Sequence, residues 1–503
     1  MKRIFLLTLL INTLIIATGY SQSTQSNITN GELKGRVLDI DKKIPLPYAN
    51  IYVLHKHKGT ISNEKGDFSI DISGLEKSDT LRFQYIGYKT RNLLIGQLDT
   101  LPVVYLKEEI INLNEAVVFG TAPDPEEIVK NVIRYKDSNY RRTTCIAETF
   151  IRERYTNDID EINFDYKKSS FDDLNRETVA MAEEKIPKHT TSYTDFLGNI
   201  YLPGNKDDTI KIDPIRTVAL KEKNVAEMKQ LEEIFRNALA ETGENEYWKI
   251  KSGIFGQKID LSDEDTIPEK DTLNDNEQKL KYFSKRTGYN LKYSWLENKN
   301  DWEFLYNTGR YKYILTGGAR VNGEDVYIID FEPDGRGRYT GRLYISVNTF
   351  ALIRADYEYA MGKTGTNIHL LGVGYTENEY NGSIYFEKKN DNYVLKYFSR
   401  KVGSIASFDR NLALLKKRKR FLFDKKLKEI KVGVKITVTS ESLVEVLVLD
   451  EKNITREQFA GFKQKEYMEI IYVDQFNDKL WKGYPIIEPT KRMREYKKQV
   501  ETE

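Results

Sequence analysis

The chain has a single cysteine, Cys145, among 503 residues. One thiol excludes an intramolecular disulfide and any cysteine-rich zinc site. Histidine is nearly as scarce: His55, His57, His189 and His369 are all there is. A zinc hydrolase needs a histidine and a carboxylate close together plus a distant histidine, and "VLHKHKGT" offers no carboxylate beside its two histidines. Charge of one sign is also lacking, since Lys plus Arg number 78 and Asp plus Glu 76. No global field therefore draws nucleic acid or an anionic surface, and any recognition is local. No G-x-S-x-G elbow occurs, and no serine is paired by spacing with a base. Long apolar runs are absent except Ile4 to Ala17, which is shorter than the roughly 20 residues of a membrane-spanning helix.

That one run follows Met1-Lys2-Arg3 and gives way to Gly19-Tyr20-Ser21 and a polar stretch, the three-part layout of a secretory signal. Cleavage after Ser21 is expected, with no transmembrane helix remaining. No cysteine follows the run, so a lipid-anchored start is not expected. The protein is read as exported, to the periplasm or in association with the outer membrane. The remaining roughly 480 residues suffice for two to four domains. Tyrosine is abundant, with 33 residues against 12 prolines, which suits half-buried strand positions where a ring packs and its hydroxyl reaches water.

Between Gly31 and Leu106 short runs alternate with a period of two and are separated by turn residues. "GELKGRVLD" reads as a strand, and "IPLPYANIYVLH" as a second with Pro45 and Pro47 at its start. "GTISNEKGDFSIDI" reads as a hairpin whose turn, Asn63 to Gly66, needs positive φ at Gly66. In "DTLRFQYIGYKT", Leu81, Phe83 and Tyr85 share one side until Gly87 breaks the phase as a bulge or bend. The ordered motifs G-x-V-x-D (Gly35, Val37, Asp39), P-x-A-N-I (Pro47 to Ile51), G-T-x-S-N-x-x-G-D-F (Gly59 to Phe68) and Y-I-G-Y-K-T (Tyr85 to Thr90) resemble the carboxypeptidase-regulatory-like, transthyretin-like β-sandwich. "LNEAVVFG", from Leu113, is similar to the closing strand of that domain. The resemblance implies a seven-stranded-type sandwich over 31–108, carried by exported proteins of Gram-negative bacteria of the Bacteroidetes type. It implies no peptidase activity.

After a linker at 109–123, "APDPEEIVKNVIRYKDSNY" reads as a helix. Asp124 caps it, Pro125 opens it, Glu126 and Glu127 complement its dipole, and Ile128, Val132 and Ile133 form its apolar stripe. "CIAETFIRERY" and "EINFDY" read as two strands. The stretch 172–275 is charged and irregular, with a second helix near Val225 to Ala240. The helix-plus-strand region extends over 124–304. From 305 to 480 alternation returns in at least six strands, including "GRLYISV", "ALIRADYEYA", "GSIYFEKK", "NYVLKYFSRKV" and "VGVKITVTSESLVEVLVL", an antiparallel meander. A charged tail occupies 481–503. This order, with "YILTGGARVNGEDVYIIDFEP" and "LWKGYPIIEP", resembles proteins that place such a sandwich before a curved, half-barrel, lipoprotein-carrier-like sheet. The resemblance implies a concave face for hydrophobic cargo.

The expected fold is mainly β: a sandwich, then an α+β region with a large antiparallel sheet. Its acidic run Asp260 to Asp271 lacks the glycine and ligand spacing of a calcium loop. "GRGRYTG", Gly335 to Gly341, joins two strands and opens no helix, so it is a hairpin turn and not a phosphate cradle. "LLKKRKRFLFDKKLKEIK", Leu414 to Lys431, is the concentrated basic patch, read as a solvated edge with lipid headgroups or an acidic partner as the alternative. The Asp-Thr-aliphatic triplets at Asp79, Asp99, Asp208, Asp265 and Asp271 resemble acceptor motifs for envelope O-glycosylation. No residue is assigned as catalytic, metal-binding, cofactor-binding or ligand-binding, and no cofactor is implied. The expectation is a non-enzymatic envelope protein whose partner is another envelope protein or a lipid. The alternatives are an outer-membrane β-barrel with an N-terminal plug, or a hydrolase.

Overall fold

The computed structural model describes residues 28–496 except 30, 57, 101–102, 110–122, 206–208, 221–233, 235–244, 254, 260–273, 322, 483 and 485. The segment 1–21, the strand expected from Leu113 and the acidic run 260–271 lie outside the described residues. Strand predominates, and the chain forms two compact units. The first comprises Met1–Tyr85, Lys89–Glu108 and Gly483–Glu488, and the second comprises Ile86–Tyr88, Glu109–Lys482 and Pro489–Glu503.

In the first unit the strands are β1 (Ile28–Thr29), β2 (Glu32–Asp39), β3 (Asn50–Val53), β4 (Gly59–Ile61), β5 (Asp67–Asp71), β6 (Thr80–Gln84), β7 (Arg91–Leu94) and β8 (Val103–Leu106). They build two four-stranded sheets, β1-β2-β5 with β8 parallel to β2, and β4-β3-β6-β7. Alternation places Val37, Ile51, Phe68, Leu81 and Phe83 in the core, where Phe68 of one sheet meets Phe83 of the other edge-on at 5.5 Å. The expected hairpin at 59–72 is corrected. Its turn forms, with Asn63 Oδ1 accepting from the amides of Lys65 and Asp67 at 2.8 and 3.0 Å. Gly66 has φ +76°, and a Cβ there would lie 2.6 Å from the Val37 carbonyl oxygen. However, β4 pairs with β3 and β5 with β2, so the turn carries the chain from one sheet to the other. The strand around Leu81 stops at Gln84, which leaves Tyr85 outside the expected alternation. Gly87 bends the backbone at φ +82°, and Ile86 is buried in the core of the second unit. Ile486 to Glu488 complete the sandwich. Asn63 Nδ2 donates to the Glu488 carbonyl at 3.1 Å, Thr60 Oγ1 to that of Ile486 at 3.3 Å, and Ile487 is fully buried.

The second unit contains β9 (Cys145–Ser169), β10 (His189–Leu202), β11 (Lys211–Leu220), β12 (Glu246–Ser252), β13 (Phe255–Ile259), β14 (Tyr311–Val321) and β15 (Glu324–Pro333). There follow β16 (Tyr339–Ser346), β17 (Leu352–Tyr359), β18 (Asn367–Leu370), β19 (Val373–Lys389), β20 (Asn392–Arg418), β21 (Lys425–Asn453) and β22 (Ile471–Val473). Together they make one 14-stranded sheet of order β14-β15-β16-β17-β19-β20-β21-β9-β10-β11-β22, with β18 on β19 and β12-β13 on the far half of β20. Its terminal strands do not pair, so the barrel alternative is overturned: the sheet is open. The three central strands are 25, 27 and 29 residues long. None contains a proline, which would remove a ladder donor, and their pairing is interrupted only by register shifts such as that at Thr437/Val438. The expected separate strands "CIAETFIRERY" and "EINFDY" are one strand, β9.

The helix Pro125–Arg134 is capped by the Asp124 carboxylate and buries Ile128, Val129 and Val132. Of the helix expected at 225–240 only Ile234 is described; it is helical and packs beside Trp248 and Phe171. The main core lies where Trp302 and Phe304 meet the aromatic face of β15 to β19. Phe304 approaches Phe331 at 4.5 Å and Tyr357 at 4.9 Å, and Tyr357 stacks on Tyr380 at 5.7 Å. This is where much of the tyrosine excess goes, with hydroxyls satisfied locally: Tyr140 donates to the Leu352 carbonyl at 2.7 Å and Tyr359 to Glu377 at 2.6 Å. That part of the sheet face is packed by the protein's own side chains.

Candidate functional site

Open space lies at the margin of this core, within the second unit. The helix Asn274–Lys292 and the turn after it pack against the start of β9, the facing ends of β10 and β11, and the β19–β20 hairpin, enclosing a cavity of about 820 Å³. Leu280, Phe283 and Leu291 recur at helical spacing and fix the helix onto the sheet through Phe196, whose ring lies 4.9 Å from Phe283. Arg286 adds a paired charge beneath it, donating to Glu153 Oε1 at 2.8 Å. Burial raises the Glu153 carboxyl above its ordinary range, and Arg286 opposes that rise.

The cavity wall is apolar below and cationic above. Leu202, Ile210, Leu291, Leu296, Phe386 and Leu395 supply the apolar part. The ring of Tyr140 joins them, its hydroxyl already spent on the Leu352 carbonyl. One wall is clamped to the hairpin by a reciprocal pair: Asn392 Oδ1 accepts from the Arg141 amide at 2.8 Å and its Nδ2 donates to the Arg141 carbonyl at 3.1 Å. Above, Lys281, Lys285 and Lys292 rise from one face of the helix, exposed, at spacings of four and seven. Among the described residues none of the three makes an ion pair. The other cations of the wall are committed. Lys136 pairs with Asp137 at 2.6 Å, and Arg142 pairs with Glu297 while stacking 3.8 Å over the Trp295 ring. Lys211 donates to the carbonyls of Phe459 and Phe462 at 2.7 and 2.8 Å. Gly288 faces the cavity, where a Cβ would meet only Ile210, at 3.5 Å.

Reactive chemistry is poorly provided for in this wall. Cys145 is buried, and burial, with Glu451 adding to it, pushes its thiol up to about 12, so it is not the thiolate a nucleophile requires. Ser294 Oγ donates to the Leu291 carbonyl at 2.6 Å and Ser284 Oγ to that of Ile210 at 3.4 Å. No histidine lines the cavity. His189 sits on β10 with Nδ1 2.5 Å from Asp158 Oδ1, His369 is exposed on β18 beside Thr376, His55 occupies a turn at φ +60°, and His57 is outside the described residues. Among the described residues no group of three or more His, Cys, Asp or Glu is disposed to hold a metal. Asp334 to Arg338 joins β15 to β16 as a turn with Gly335 at φ +78°, while Gly341 lies within β16 opposite Phe331. Asp79 accepts from Lys56 at 2.5 Å in the turn before β6, whereas Asp208, Asp265 and Asp271 are outside the described residues.

The cavity brings together segments around 140, 205, 288 and 390, and sequence reading found none of them as a site. The available signal was the apolar spacing of Leu280, Phe283 and Leu291 beside lysines on the neighbouring face, just after the stretch 172–275 read as irregular.

Residues 33–118 match the family model of the CarboxypepD_reg-like domain, so the chain carries that domain at its N-terminal side. No curated protein matches the chain. Among solved structures, similarity is found to the MucA/MucB complex of Pseudomonas aeruginosa at 9% identity, covering 63% of this chain and 93% of that one, with a TM-score of 0.17. A DUF1329 family protein from Desulfovibrio piger is similar at 10% identity, covering 67% and 98%, with a TM-score of 0.18.

Proposed function

We propose that this chain is a non-enzymatic cell-envelope protein whose larger unit binds an amphipathic anion, an apolar chain bearing an acidic head, in the cavity beside the helix Asn274–Lys292. The observation that carries this reading is the two-part wall: an apolar floor below a row of three lysines free of ion pairs among the described residues. Its volume, about 820 Å³, falls in the range of pockets that take molecules of lipid or drug size, roughly 300–1,000 Å³. The floor gains from desolvating the apolar chain, and the lysines attract the head without being buried, which avoids the cost of an unpaired interior charge. The spent serines and the protonated thiol favour holding a ligand over transforming one. Export rests on the N-terminal layout, and no described helix is long and apolar enough to cross a membrane.

Purification without detergent followed by solvent extraction and mass spectrometry tests this reading. The expected result is co-purified acyl lipid and uptake of a fluorescent fatty acid. Gly288→Phe is expected to abolish uptake, because its ring fills the space over Ile210, while the fold is retained by circular dichroism. A ligand-free, monodisperse protein that takes up no acyl probe overturns the proposal.

A further inference from the structure

The hairpin between β20 and β21 ends in Phe421-Leu422-Phe423, whose side chains are 101%, 78% and 86% exposed. Three consecutive bulky apolar residues in water mark a contact surface. The turn is also held in place. Arg418 pairs with Lys425 at its base, the Lys419 amide donates to the Asn245 carbonyl at 2.8 Å, and Asp424 accepts from Tyr247 Oη at 2.6 Å. Little ordering is left to oppose binding.

The tip is ringed by cations contributed from both strands: Lys416, Lys417, Arg418, Lys419 and Arg420 before it, Lys425, Lys426 and Lys428 after it. Glu246 takes Lys416 and Arg418, at 3.1 and 2.7 Å, and Glu429 takes Lys426 at 2.7 Å. Among the described residues Lys417, Lys419, Arg420 and Lys425 make no ion pair. An apolar point inside a positive ring matches a broad anionic surface with an apolar interior. A single acidic groove would call for charge on one side only.

We propose that Phe421, Leu422 and Phe423 insert into the interfacial layer of an anionic lipid bilayer, with the surrounding lysines and arginines pairing with lipid phosphates. This surface is separate from the cavity and stands or falls without it.

The test uses the full chain carrying Leu422→Cys labelled with an environment-sensitive fluorophore; the native Cys145 is buried and does not compete for label in the folded protein. Vesicles of phosphatidylcholine mixed with phosphatidylglycerol are expected to blue-shift the label, pure phosphatidylcholine vesicles are not, and about 0.5 M salt is expected to reverse the shift by screening. In vesicle flotation the triple variant Phe421→Ser, Leu422→Ser, Phe423→Ser is expected to bind at least about tenfold more weakly, from the lost apolar burial, with its melting temperature unchanged. An unshifted label on anionic vesicles overturns insertion and leaves the tip to a protein partner. Undiminished binding by the triple variant, or binding indifferent to lipid charge, overturns it equally.

Discussion

Asp301 shows how one half-buried carboxylate sets a pH dependence. Burial raises its carboxyl to about 6 against the pull of Arg400 and Arg338. The folded state therefore holds this proton more tightly than the unfolded chain does. Below about pH 4 both states are protonated and the group is neutral to stability. As pH rises the unfolded chain ionises first, so stability falls between about pH 4 and 6 and the loss is complete above that. Asp301→Asn keeps the acceptor that Asn298 uses and removes the ionisation. Its melting temperature is expected to exceed that of the parent at pH 7 and to match it near pH 4, measured by thermal denaturation across that range. A gain of the same size at both pH values would show that ionisation is not the cause.

At the scale of elements, legibility followed local chemistry and failed where pairing was decided elsewhere. The helix after Asp124 was readable because its cap, opening proline and first-turn acids are all local. The Asn390-Asp391 turn is local in the same way, with Asn390 at φ +58° between the paired residues Lys389 and Asn392. By contrast, Thr156, Asn157 and Asp158 look like turn formers, yet each pairs on both sides, with β10 and with β21. Two neighbouring ladders outweighed their turn preference, and a bulge at Thr437/Val438 absorbs the mismatch. The hairpin at 59–72 failed for the same reason, since its turn was correct and its partners were distant. One small helix offers a local test. Arg456–Gly461 is opened by a capping box in which Thr455 Oγ1 accepts from the Gln458 amide at 3.2 Å and Gln458 Oε1 accepts from the Thr455 amide at 2.9 Å. Thr455→Ala is expected to cost about 1 kcal/mol in urea denaturation.

Across the whole molecule, sequence patterns pointed to two β-rich regions and to the sandwich at 31–108, which the family match at 33–118 overlaps, while the cavity stayed invisible. Its wall needs helix, strand ends and hairpin to converge from stretches that lie far apart in the chain. The same long reach governs the first unit, whose Thr60 meets Ile486 across 426 positions. A chain ended at residue 482 would keep every strand of the sandwich and lose the insert whose Ile487 is buried. Such a chain is expected to show faster proteolytic cleavage within 31–108, with supplied peptide 483–488 slowing it, read by limited proteolysis and mass spectrometry. Equal cleavage rates would show the insert to be dispensable.

That arrangement also gives folding a clock. The strands of the sandwich are synthesised before the second unit, yet the sandwich receives the segment 483–488 only after the sheet of that unit has been made. A chain cut between the two segments thus carries its defect far from the cut, as an unfinished sandwich open to proteases.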